Sequence, residues 1–70
     1  MRFQLGNPLF DPKTGRWQVV VEAYVGTVGA EQLYATQTGV CWFGSEDAAH
    51  ESGLGAMQSF GETGRLPKIF

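Results

Sequence analysis

One cysteine, one histidine and three prolines stand in a chain of 70 residues, and each shortage closes a route. A lone cysteine forbids an internal disulfide, and the opening Met1 to Pro8 has no extended apolar stretch of the secretory kind, so a reducing cytoplasm is the expected compartment. Apolar runs such as Val19–Val21 and Ala23–Val25 fall far short of the roughly 20 residues that cross a bilayer, so no membrane partner is expected. Between residues 22 and 62 there is no Lys or Arg, while Glu22, Glu31, Glu46, Asp47, Glu51 and Glu62 all lie there. A protein that grips phosphates needs clustered cations to displace counterions, so this long acidic middle disfavours nucleic acid.

What is present suits a folded chain: 43% hydrophobic and 13% aromatic residues with only 17% charged is a globular rather than a disordered composition. Seventy residues make one small domain, and a domain of that size buries only about 60% of its unfolded surface, so the core is expected to be marginal.

Arg2-Phe3-Gln4-Leu5 alternates polar and apolar as a half-buried strand does, and Gly6-Asn7-Pro8 interrupts it with a bend or bulge before Leu9 and Phe10. In Asp11-Pro12-Lys13-Thr14-Gly15 the proline presets φ, the aspartate accepts from nearby backbone N–H groups and the glycine admits positive φ, which predicts a hairpin loop. Arg16–Val25 follows as the best strand. Period two puts Trp17, Val19, Val21, Ala23 and Val25 on a core face, with Gln18, Val20, Glu22 and Tyr24 opposite.

After Gly26-Thr27-Val28-Gly29, the segment Gln32–Phe43 reads as a third strand, with Leu33, Ala35, Cys41 and Phe43 inward and Tyr34, Thr36, Thr38, Val40 and Trp42 outward. Gln37 and Gly39 spoil the inward set. A bulge there would exchange Trp42 for Phe43 as the buried aromatic, and the unflipped register is the expectation.

Ser45 with Glu46 and Asp47 after it predicts a helix start: a side-chain cap, then carboxylates where the dipole favours them. Ala49, Gly53, Ala56 and Phe60, with Met57 beside them, form one narrow stripe suited to a sheet face, and Gly61 is placed to end the helix. Leu66, Ile69 and Phe70 are expected to fold back. The sequence therefore predicts a single α+β domain over residues 1–70: a three-stranded antiparallel β-meander with one C-terminal helix packed on one face (β-β-β-α) and an irregular C-terminal tail.

Chemistry is scarce. A nucleophilic Cys41 would need a cation or helix N-terminus at its sulfur and a base in reach, whereas it sits within a strand, and His50 lies on the helix's second turn. A metal site would want further ligands at recognisable spacing. Of Glu46, Asp47 and Glu51, the first two point about 100° apart on a helix and are explained by its dipole, and Gly53-Leu54-Gly55 lacks the strand, spacing and lysine of a phosphate loop. Neither Ser45 nor Ser52 sits in a nucleophile motif. No enzyme, cofactor, metal or small-molecule ligand is expected.

Surface remains. Val20, Tyr24, Tyr34, Val40 and Trp42 are predicted to line the sheet face away from the helix and to bind a partner, unless the N-terminal segment or the tail folds across them. The expected function is a small non-enzymatic protein-interaction module that binds another protein or its own copy as a homodimer, through the open sheet face or the acidic helix. The alternative is a nucleic-acid-binding module in which sheet aromatics stack bases and Arg2, Lys13, Arg16, Arg65 and Lys68 converge.

Overall fold

A single turn organises the first half of the chain. Asp11 accepts from the Lys13 backbone N–H at 3.0 Å and from the Thr14 hydroxyl at 3.1 Å. Its carbonyl accepts from Gly15 N–H at 2.8 Å, with Gly15 at φ 67°, a conformation that favours glycine. The predicted hairpin forms around this loop in the computed structural model, which describes residues 2–70.

Five strands and one helix are present among the described residues: β1 (Arg2–Leu5), β2 (Leu9–Asp11), β3 (Arg16–Gln18), β4 (Val20–Val25), β5 (Gln32–Thr38) and α1 (Glu46–Thr63). They form a three-stranded sheet in the order β1-β4-β5 and a two-stranded sheet of β2 and β3, all antiparallel. The expected meander is thus only partly matched. Both hairpin arms are broken, at Gly6–Pro8 and at Val19, and the third strand ends at Thr38 instead of Phe43.

The breaks have local causes. Leu5 faces Val21 and Leu9 faces Gln18, so three residues, Gly6 to Pro8, oppose the two residues Val19 and Val20. One extra residue interrupts the ladder, and Pro8 brings no N–H to repair it. On the other side Thr38 faces Val20 and Phe43 bridges Trp17, so Gly39 to Trp42 oppose only Gln18 and Val19. Two extra residues preserve the alternation of faces. Phe43 accordingly packs against the core while Trp42 is 45% exposed, as the unflipped register requires.

The flip occurs earlier. The β4–β5 register shifts between Ala23 and Tyr24: Ala23 faces Ala35, but Tyr24 faces Leu33, which leaves Tyr34 without a partner. Leu33, expected inward, instead stands opposite Tyr24 and is 52% exposed.

Val19 and Val21 are sealed, with Ala56 and Phe70 beside them, and Phe3, Leu5, Phe43, Met57 and Leu66 close around this cluster. Full burial of a valine contributes about 1.5–3 kcal/mol, so few residues stabilise this fold. Ala23 is also buried, whereas Trp17 and Val25, expected in the core, are half-buried.

Helix α1 begins as expected: the Ser45 hydroxyl accepts from Ala48 N–H at 3.1 Å, with Glu46 and Asp47 in the first turn. It does not end at Gly61. The helix continues to Thr63, whose hydroxyl donates to the Ser59 carbonyl, and Gly64 caps it at φ 75° by donating to Phe60 O at 2.8 Å. Gly61 has a negative φ and so plays no capping part.

The buried helix stripe is Ala49, Gly53 and Ala56, and the helix lies on β1 and β3. At Gly53 a β-carbon would stand 2.5 Å from Leu5 Cδ1 and 3.3 Å from Val19 Cγ1, so glycine permits the close approach. Farther along, the Phe3 and Phe60 rings meet edge-on at 4.9 Å. No helix among the described residues is long and apolar enough to cross a membrane.

Candidate protein-interaction surface

Helix α1 packs over β1 and β3 and leaves β5 uncovered. All seven residues of β5 are exposed, although the strand is paired to β4 along its length. On the helix side, Ala35 and Gln37 oppose the buried Ala23 and Val21. Together with Phe3, Tyr34 and Thr36 these four residues line a cleft of about 360 Å³. Of its lining residues only Tyr34 has a titratable side chain.

On the opposite face Val20 pairs with Thr38, Glu22 with Thr36 and Tyr24 with Leu33. Tyr24 is half-buried because Arg2, its cross-strand partner in β1, lies over its ring at 4.8 Å. The same guanidinium donates from Nε to Glu31 Oε2 at 2.8 Å and from Nη1 to Gln4 Oε1 at 2.8 Å. That hydrogen bond, reinforced by charge and opposed by desolvation, holds the Glu31 carboxyl below its ordinary range and raises Arg2.

The five residues expected to bind a partner therefore do not form one uniform patch. Val20 and Tyr24 are half-buried on the outer face. Tyr34, 67% exposed, is displaced by the bulge and lines the helix-side cleft. Val40 and Trp42 are 65% and 45% exposed on the irregular segment after β5. Leu33 joins Tyr24 on the outer face, a residue that strict alternation missed because period two carries no signal of a bulge.

The tail does not cover this surface. Phe70 is 5% exposed in the core cluster on the helix side, and its carbonyl accepts from Cys41 N–H at 3.0 Å. Leu66 joins the core, whereas Ile69 is 72% exposed. Gly39 is buried against this last residue: a β-carbon there would overlap the Phe70 carbonyl oxygen.

The residues considered for chemistry remain apart in role. Cys41 is half-buried beside the tail, and His50, Glu46, Asp47 and Glu51 are exposed on α1. Among the described residues no three His, Cys, Asp or Glu side chains gather as a metal site would need. Of the basic residues, Arg2 is engaged by Glu31, Lys13 and Arg16 are exposed at the first hairpin, and Arg65 and Lys68 are exposed on the tail. Comparison of the chain with protein-family models, with curated proteins and with solved structures gives no match.

Proposed function

We propose that this protein is a small non-enzymatic protein-interaction module that engages its partner through β5 and the apolar side chains around it. The observation that carries this reading is the exposure of the whole of β5 together with Leu33, Tyr34, Val40 and Trp42. Scattered apolar exposure is ordinary. A strand bare on both faces with four large apolar groups on it or just beyond it concentrates that exposure in one region, and such patches usually mark contact sites. Aromatic anchors are also the side chains that most often dominate binding energy.

Photo-crosslinking in the native cell tests the reading. A photoreactive residue placed at Trp42 or Leu33 is expected to give discrete protein adducts, and the same group at Lys13 or Glu51 is not. Equal labelling at all four positions, or none at Trp42 and Leu33, rejects the proposal.

A further inference from the structure

We infer that residues 65–70 are a detachable strap seated in a groove that accepts an extended peptide, one whose aliphatic anchor is followed four positions later by an aromatic one. This site goes beyond the surface around β5 and is separate from it.

The strap itself shows what the groove takes. Phe70 puts its ring into the cluster of Val19, Val21 and Ala56, Leu66 packs against the same cluster, and Lys68 and Ile69 between them are exposed. Gly39 offers a flat place for the Phe70 carbonyl, since any β-carbon there would overlap it, and Cys41 N–H donates to that carbonyl oxygen at 3.0 Å. Extended peptides are held in this way elsewhere: a main-chain hydrogen bond fixes register and a pocket selects the side chain. A floor of two valines and an alanine would leave a charged group at the Phe70 position uncompensated, so the anchor must be apolar.

Little else fastens the strap. Among the described residues, the Cys41 bond is the only hydrogen bond that joins residues 66–70 to the rest of the chain. The only ion pair among them, Arg2 with Glu31, leaves Arg65 and Lys68 free of any carboxylate. No residue after Thr63 belongs to a helix or strand, and α1 is closed without the strap, because Gly64 N–H already donates to Phe60 O. Gly64, at φ 75° with open space around it, is the pivot.

Swinging out at Gly64 therefore breaks one backbone bond and no ladder or helix bond. Such a bond contributes modestly, so the Phe70 ring is the main hold, and segments held by so few contacts open below the free energy of global unfolding. Opening uncovers Val19 and Val21, apolar surface that favours recapture of the strap or capture of a like segment. A tethered strap competes at an effective concentration in the millimolar range, so it acts as an internal inhibitor that a partner peptide must displace.

Amide exchange of the native chain gives the first test. Gly39 N–H donates to Val19 O and Phe43 N–H to Trp17 O, neither of them on the strap. Cys41 is expected to be at least about tenfold less protected than both. The second test is fluorescence anisotropy with a labelled hexapeptide of residues 65–70. Full-length Phe70→Ala is expected to stay folded by circular dichroism and to bind this peptide, and the native chain to bind it at least about tenfold more weakly. The double variant Gly39→Ala, Phe70→Ala, and the peptide carrying Phe70→Ala, are expected to show no binding. Equal protection at Cys41 and Gly39, a Phe70→Ala chain that unfolds or stays folded without binding, or equal affinity in the native chain overturns the inference. Each of these leaves the Trp42 and Leu33 surface standing, because its crosslinking is read at residues outside the groove.

Discussion

β1 and β5 flank the same central strand, and they have opposite fates. β1 lies under α1, with Leu5 at Gly53 and Phe3 against Phe60, while β5 is exposed throughout. Both carry large apolar side chains, so hydrophobicity alone does not decide which flank is covered. The deciding feature is the narrow helix stripe: Ala49, Gly53 and Ala56 allow close approach over a limited width, and a single helix roofs only part of a twisted sheet. The lesson is that one helix with a narrow stripe covers one flank of such a sheet and leaves the other uncovered.

Substitutions on the two flanks should separate this account from one in which the sheet is uniformly supported. The largest effect is expected from Phe70→Ala, which empties the covered side of its buried terminal ring and should cost about 3 kcal/mol in urea unfolding. A loss below about 1 kcal/mol would show that the tail is not part of the core. Next comes Gly39→Ala, where the added carbon meets the Phe70 carbonyl. About 1–3 kcal/mol should be lost, and amide exchange at Cys41 should accelerate as its bond to Phe70 is released.

Two glycines in α1 sharpen the contrast further. Gly55 has open space around it, so Gly55→Ala should stabilise the chain by about 1 kcal/mol through helix propensity. Gly53→Ala has the same propensity gain but pushes on Leu5 and Val19, and its midpoint should rise less or fall. On the bare flank Leu33→Gln should change the stability of the isolated chain by no more than about 0.5 kcal/mol, measured at concentrations too low for association.

The smallest effect is electrostatic. Because Arg2 lowers the Glu31 carboxyl, their pairing contributes above the ordinary carboxylate range and is lost as pH falls through the lowered folded value. Glu31→Gln should therefore be slightly less stable than the native chain at neutral pH and equal to it in acid, with the gap narrowing in high salt. A gap that persists in acid would assign the effect to something other than charge.

Much of this arrangement was legible in the sequence. The Asp11–Gly15 turn, the Ser45 cap and the helix stripe each depend on residue types at fixed spacing, and each formed where that spacing put it. Val19 and Val21 were readable as core because alternation holds along β4. The illegible parts are those in which two segments negotiate: the extra residue opposite Val19 and Val20, the displaced Tyr34, and the four residues Gly39–Trp42 set against two. Pairing register belongs to the partners jointly, and one strand's composition does not encode it. Helix extension past Gly61 has a related cause, since Thr63 and Gly64 supply a working cap one turn later than the first glycine offered. For the candidate surface, the exposure of Val40 and Trp42 was legible from alternation, whereas the bulge that moved Tyr34 and Leu33 between faces was not.

The glycines at 53, 55 and 61 have a kinetic corollary. With three poor helix formers and no cation in its last turn, α1 has little tendency to persist alone, and the strand it most needs lies some forty residues upstream. Ellipticity from coiled backbone should thus rise in the same refolding phase as the aromatic signals of Phe3 and Trp17, with no early helical burst, at the unhurried pace of a chain whose decisive contacts join its two ends.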